Sequence, residues 1–375
     1  MIILTVNTGS SSVRLAAFAD DSGALMQLVN ARYELSATEP EVLLKAFLDA
    51  NGLGEIKLAV HRVVHGGMNL TASCLVDEKV EEEIGRVASL APLHNPNALR
   101  WIRVTGDVLG RGVTQVAVFD TAFFKALPEA ARVYALPHTL AEKYGLRRYG
   151  FHGLAHQAMW RSWHGLQPGA GRGGRIISLQ LGAGCSITAI DNGSPRDTSM
   201  GFSPLEGLVM ATRSGDVDPG LITFLLRQEN LTAEQLDELL NEHSGLLGLS
   251  GISADIRELI ASPDKLSRLA LDVYCYRVRK YIGAYLAVLG GADAIVFGGG
   301  VGENVPEVRE KILSGMEWCG IEIDVKANRD ALELARISSE KSRVATWVIP
   351  VNEAAVLARE GTALMAAREA EGESL

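Results

Sequence analysis

The chain opens with Ile2-Ile3-Leu4-Thr5-Val6-Asn7-Thr8-Gly9-Ser10-Ser11-Ser12-Val13-Arg14-Leu15-Ala16-Ala17-Phe18. Two apolar runs flank a turn made of an amide, hydroxyls and one glycine, which reads as strand, tight turn, strand. A hairpin needs only Asn-Gly or Asp-Gly at its turn, so three consecutive serines add nothing to its closure. They offer backbone N–H groups and short polar side chains to an anion, with the cation Arg14 just beyond. Read alone, the stretch is also an ordinary polar hairpin, and the rest of the chain decides.

The pattern recurs. Residues 176–190 again read as strand, turn, strand, with Leu181-Gly182-Ala183-Gly184-Cys185-Ser186 at the turn. Two halves that each open on a glycine- and serine-rich hairpin indicate an internal duplication. The expectation is that both turns face a common cleft and grip one polyphosphate. Other strand-like runs are Leu58–Val63, Gln115–Phe119, Ala294–Phe297 and Thr346–Pro350. Helical patterns lie between them at Pro40–Ala50, Pro96–Val108, Ala233–Glu242, Lys265–Leu289 and Val305–Met316, with an Ala-rich helix at Glu353–Glu371. Strands alternating with helices over this length indicate an α/β protein.

A length of 375 residues suggests two domains, at roughly 150 residues each. Hydrophobic residues at 47% supply ample core, and the 22% charged content suits a soluble enzyme. A net charge of −9 argues against a general nucleic-acid binder, though not against a local anion site. The four cysteines, Cys74, Cys185, Cys275 and Cys319, show no CxxC spacing, against a zinc site or disulfide framework. No basic, apolar leader opens the chain, and the longest apolar stretch, Tyr281–Gly302, is broken by Asp293 and glycines. A cytoplasmic protein without membrane or nucleic-acid partners is expected.

Several runs carry polar residues where ligands gather. His61-Arg62-Val63-Val64-His65-Gly66-Gly67 places Arg62 at a strand end, either for bidentate anion binding or for a structural salt bridge. Asp120 follows the strand ending at Phe119, a ligand-binding position in open α/β sheets and equally a helix cap. His152 stands between glycines and aromatics in Tyr149-Gly150-Phe151-His152-Gly153, where close backbone approach favours function over a structural histidine. Asp197–Gly207 and Ala211–Gly220 form a long run of acids, hydroxyls and glycines around Arg213, of the kind that is functional or mobile. Phe297-Gly298-Gly299-Gly300-Val301-Gly302-Glu303-Asn304 leaves a strand and opens a helix, where a nucleotide can lie against the backbone. With Asp324 some way beyond, that turn also permits a Rossmann dinucleotide reading. Glu353, at the end of Ile349-Pro350-Val351-Asn352-Glu353, is a candidate for Mg²⁺ or a helix-start acid.

Taken in order, these motifs closely resemble the acetate kinase family, within the superfamily of sugar kinases, heat-shock chaperone ATPases and actin. The most specific pieces are NTGSSS, HRVVHGG, PLHNP, FDTAF, RRYGFHG, DTSMGFSPLEG, TRSGDVDP, GGGVGEN and the final NE. The resemblance implies two duplicated ribonuclease-H-like (actin-like ATPase) domains with a cleft between them: residues 1–122 plus 355–375, and 123–354. It implies a homodimer that transfers the ATP γ-phosphoryl group to acetate, with Mg²⁺ or Mn²⁺. It assigns Arg62, Asp120, His152 and Arg213 to catalysis. Asn7, Ser10, Ser12, Arg14, Gly182 and Gly184 fall to the polyphosphate, and Asn7 and Glu353 to the metal. Asp255, Ile256, Arg257, Gly300, Val301, Gly302, Glu303 and Asn304 match the nucleotide-binding segments. Val64, Leu93, Phe151 and Pro204 match the apolar pocket for the acetate methyl group.

The chain departs from the family pattern at Arg14 (usually lysine), Gln180 (histidine), Ala183 (asparagine) and Phe124 (often histidine). These changes bear on the phosphoryl donor more than on the transfer residues. Alternatives are therefore a related short-chain carboxylate kinase acting on propionate, a donor such as pyrophosphate, or a catalytically weak nucleotide-binding paralogue.

Overall fold

The structure is a computed structural model that describes residues 1–9, 12–21, 23–35, 38–92, 94–110, 112–166 and 174–371. The chain divides into two compact units. One comprises Met1–Lys125, Phe151–Leu154 and Asn352–Leu375, the other Ala126–Gly150 and Ala155–Val351.

The first unit is built on a six-stranded sheet of β1 (Ile2–Thr8), β2 (Ser12–Asp21), β3 (Ala24–Glu34), β4 (Ile56–Val63), β5 (Cys74–Leu75) and β6 (Thr114–Phe119), in the order β3-β2-β1-β4-β6-β5. β1 and β2 pair antiparallel, from Ile2 opposite Ala19 to Thr8 opposite Val13, as the opening stretch predicts. β1, β4 and β6 run parallel. Helices Pro40–Asn51 and Asn95–Leu109 cover one face, where Leu4, Val6, Leu15, Phe47 and Trp101 share a core. These strands read as near-continuous apolar runs because a sheet with parallel centre strands is covered on its faces.

The second unit repeats the plan. β7 (Arg175–Leu181), β8 (Cys185–Asp191), β9 (Ser194–Thr198), β10 (Ala294–Gly298), β11 (Ala335–Arg336) and β12 (Ala345–Val348) form a sheet ordered β11-β12-β10-β7-β8-β9. Three antiparallel strands are followed by two parallel ones and a short antiparallel edge strand, as in the first sheet. The duplication expected from the two hairpins is therefore a duplication of the whole sheet. A Rossmann sheet does not have this order, and Asp324 caps the helix Val325–Asp330 by accepting from the Ala327 N–H at 2.9 Å. The dinucleotide reading is discarded.

β4 holds the buried His61, and the buried His65 follows just after it. The His61 ring bonds Gln115 Oε1 through Nε2 at 2.8 Å. His65 accepts from the Gly67 N–H through Nδ1 at 2.9 Å. Burial pulls both imidazoles down from 6.5 to about 4, so both are neutral in the fold. Between those values the unfolded chain binds protons that the folded chain refuses. Stability therefore falls as pH drops through this window, by up to about 1.4 kcal/mol per pH unit for each histidine. The urea midpoint is expected to be clearly lower at pH 5 than at pH 7; equal midpoints would contradict the assignment.

Candidate active site

Three adjacent parallel strands deliver the first group of side chains. Asn7 lies at the end of β1, Arg62 near the end of β4, and Asp120 immediately after β6. Carboxyl ends of strands in open α/β sheets leave backbone and side chains free to meet a ligand. Arg62 is held on two sides. Its Nε donates to both Asp120 carboxylate oxygens at 3.2 Å, and its Nη2 donates to Oδ2 at 2.6 Å. Its Nη1 donates to Asn7 Oδ1 at 3.1 Å and stands 3.9 Å from Glu353 Oε2. The Asn7 Nδ2 donates to that same Glu353 oxygen at 2.6 Å. The amide thus faces a guanidinium with its oxygen and a carboxylate with its nitrogen, which fixes its orientation.

Asp120 and Arg62 are a salt bridge, one of the two roles the sequence left open for the arginine. Asp120 is fully buried and also accepts from the backbone N–H of Leu154. Burial pushes its carboxyl above the ordinary range, against the opposing pull of Arg62. Burial alone would lower the Arg62 guanidinium, but Asp120 and Glu353 outweigh it and hold the charge firmly in place. Glu353 begins the helix Glu353–Ala370, whose N-cap Asn352 accepts from the Ala355 N–H at 3.0 Å. Burial would raise this acid. Arg62, the Asn7 bond, His152 and Arg14 together hold it below its usual value, and the helix N-terminus favours the same charge. Glu353 is an ionised, oriented carboxylate.

His152 adopts φ +56°, a conformation that non-glycine residues rarely take. Its neighbours explain how it is held there. The Phe151 ring is buried edge-on against His65, 5.5 Å between centroids. Gly153 passes so close to Asp120 that an added Cβ would stand 1.9 Å from its carbonyl oxygen and 2.8 Å from Phe123 Cβ. Gly153→Ala must therefore push His152 and Asp120 apart. It is expected to cost about 2–3 kcal/mol of stability and to lower turnover more than tenfold by the displacement. A variant with parental turnover and urea midpoint would contradict this.

Around the first hairpin, Arg14 is exposed and sits opposite Asn7 in the β1–β2 register. Gly9 donates its N–H to the Ser12 carbonyl at 2.8 Å, which closes the turn. Ser10 and Leu93 lie outside the described residues. Val64 and Phe151 are both buried.

The remaining candidates belong to the second unit. Gly182 donates to the Gly184 carbonyl at 3.2 Å, so this hairpin closes much as the first does. Gly299, at φ +77°, lies against it: an added Cβ would stand 2.7 Å from the Leu181 carbonyl oxygen. Gly299–Asn304 is a short helix, and Arg309, fully buried, donates to the carbonyls of Gly302 and Glu303 at 2.9 Å each. Asp255 caps the helix Ile256–Ala261 and pairs with Arg257 at 2.6 Å, which brings its carboxyl down to about 2. Ile256 is buried between them in sequence.

The long acidic run is ordered. Glu206 accepts from Arg148 Nη2 at 2.7 Å and from the Tyr134 hydroxyl. Asp216 accepts from the Gly207 N–H at 2.8 Å and the Tyr281 hydroxyl at 2.7 Å. These acids shape the loop. Arg213 is left differently: its Nη1 donates to the Pro204 carbonyl at 3.2 Å, and no carboxylate among the described residues pairs with it. Burial lowers its pKa. It is a partly desolvated cation whose charge no carboxylate among the described residues neutralises.

A model of the acetokinase family matches residues 41–359 of this chain. The chain belongs to that family. The acetate kinase of Chloroherpeton thalassium is 48% identical over 314 residues, covering 82% of this chain and 75% of the relative. Among solved structures, Porphyromonas gingivalis acetate kinase matches with a TM-score of 0.87 at 37% identity, over 97% of this chain and 99% of that one. A propionate kinase from Francisella tularensis matches with a TM-score of 0.89 at 35% identity, over 96% and 99%.

Within this acetokinase, sequence reading missed three supports. Asn95 donates to the His65 carbonyl at 2.9 Å and accepts from its N–H at 3.1 Å, fixing the turn after Arg62. Its position inside the Pro92–Pro96 motif was the available signal. Arg148 stands in the Arg147–Gly153 motif, which was likewise its signal. Arg309 carried none, because a buried arginine that serves backbone carbonyls looks like any surface arginine in sequence.

Proposed function

We propose that this chain is an acetate kinase, transferring the γ-phosphoryl group of ATP reversibly to acetate and forming acetyl phosphate and ADP by in-line displacement. The observation that carries the reading is Arg62, fixed by Asp120 and Asn7 beside the ionised Glu353. A nucleotide-binding paralogue without turnover has no use for so costly a buried array.

Acetate is ionised at neutral pH, so the nucleophile needs no general base. The obstacle is repulsion between a carboxylate and a polyphosphate. Arg62 and Arg213 serve the transferring group, stabilising charge on its equatorial oxygens. Asp120 orients Arg62 and stays ion-paired to it. His152 donates to the same oxygens. Glu353 fits a cation that arrives with the nucleotide, and Asn7 would join it by turning its amide oxygen from Arg62: Mg²⁺ in kinases is held by one or two carboxylates plus substrate phosphates. Among the described residues no three His, Cys, Asp or Glu side chains gather into a closed cage. When bound, Mg²⁺ neutralises charge on the phosphate oxygens. Ser12, Arg14, Gly182 and Gly184 line the polyphosphate, while Asp255–Arg257 and Gly300–Asn304 take the adenosine side. Val64, Phe151 and Pro204 are the apolar residues we assign to the methyl group.

A homodimer fits the exposed apolar residues Leu266, Leu269 and Tyr276 on the helix Lys265–Leu289. No helix among the described residues is long and apolar enough to cross a membrane. We place the enzyme in the cytoplasm.

The likeness to a propionate kinase keeps propionate as a second acceptor. Trapping acyl phosphate with hydroxylamine, across acetate, propionate and butyrate and with ATP or pyrophosphate, decides among them. Acetate with ATP is expected to give the highest kcat/KM. A preference for propionate or pyrophosphate would reassign the substrate, and no hydroxamate under any pairing would favour the paralogue.

A further inference from the structure

Glu303 sits in the glycine turn, but its carboxylate is folded back onto backbone. Its Oε1 accepts from the Gly299 N–H at 2.9 Å and from the Val351 N–H at 3.1 Å. Gly299 directly follows β10, Val351 lies just beyond β12, and the two strands are parallel neighbours. The backbone ladder between them reaches the Ile349 N–H on the Phe297 carbonyl at 2.9 Å, and the Glu303 oxygen continues it from there. One acceptor atom thus staples the carboxyl ends of two strands, where ligands meet such sheets. On one side of the staple is the turn Gly299–Asn304. Val351 is followed two residues along the chain by Glu353.

We propose that Glu303 is a positioning residue for the nucleotide and metal side of the reaction, acting through the Gly299 and Val351 N–H groups and not by touching the ligand. The inference rests on the acetate kinase reading above. It requires an oxygen acceptor at this place, not a negative charge, so glutamine can substitute and alanine cannot.

The test is steady-state kinetics of the full-length variants E303A and E303Q with Mg²⁺-ATP and acetate. E303A loses two hydrogen bonds that order the turn, and its KM for Mg²⁺-ATP is expected to rise about tenfold or more, with KM for acetate changed less than about twofold. E303Q is expected to return KM for Mg²⁺-ATP to within about threefold of the parent enzyme. Amide exchange at Gly299 and Val351 should quicken in E303A and not in E303Q. E303Q as impaired as E303A would overturn the proposal, because charge would then be the property in use. So would a fall in kcat alone with KM unchanged, which is only loss of folded enzyme. If E303A does not fold, E303Q decides by the same KM criterion. A parent protein that makes no acetyl phosphate would defeat the kinase reading, whereas the exchange experiment would still test the staple.

Discussion

Arg62→Ala is expected to lower kcat for acetyl phosphate formation by about 100- to 1,000-fold, the scale seen when one preorganised donor to a charged transition state is removed. The same substitution is expected to weaken the fold. Asp120 is fully buried and its principal partner is Arg62, so truncation leaves an uncompensated buried carboxylate, at a cost of about 3–5 kcal/mol. The double variant R62A/D120N removes the stranded charge and should recover much of the stability while turnover stays low. Urea unfolding and steady-state kinetics on both proteins separate the two effects. Near-parental turnover by folded R62A would contradict the role given to Arg62.

Arg213→Ala is expected to show the opposite balance. Its guanidinium meets a carbonyl and the Met210 sulfur at 3.9 Å, and no carboxylate among the described residues. Truncation therefore removes one net hydrogen bond, about 1 kcal/mol of stability. The loss in kcat should again be about 100-fold or more, because a desolvated cation that no carboxylate among the described residues neutralises is available to the transferring phosphoryl group. A variant that keeps its turnover, or one that unfolds as R62A does, would contradict this. The two arginines look alike in sequence, and only their partners tell them apart.

The first sheet was readable because β1, β2, β4 and β6 are apolar runs closed by distinctive turns, and the helices Pro40–Asn51 and Asn95–Leu109 that cover it each bury one apolar face. The third strand of each meander was not. β3 (Ala24–Glu34) is a largely exposed edge strand in which only Val29, Ala31 and Tyr33 alternate with polar residues, and β9 is the polar Ser194–Thr198, which has no such alternation. The candidate residues Asn7, Arg62, Asp120 and Glu353 could each be picked from their places at strand ends. Their mutual bonds could not, since Asn7 and Glu353 are 346 residues apart. The acids of the Asp197–Asp218 run looked like ligands by composition. Glu206 and Asp216 are occupied instead by Arg148, Tyr134 and Tyr281, partners that pattern reading has no means of pairing.

Phosphoryl transfer to a carboxylate is the property on which every role given above depends. Phosphorus NMR of the purified protein with ATP, Mg²⁺ and acetate measures it without coupling enzymes. The expected result is one acetyl phosphate formed for each ADP, dependent on acetate and lost in the Arg62 and Arg213 variants. Orthophosphate released in place of acetyl phosphate, or ATP left unchanged by a folded protein, would contradict it.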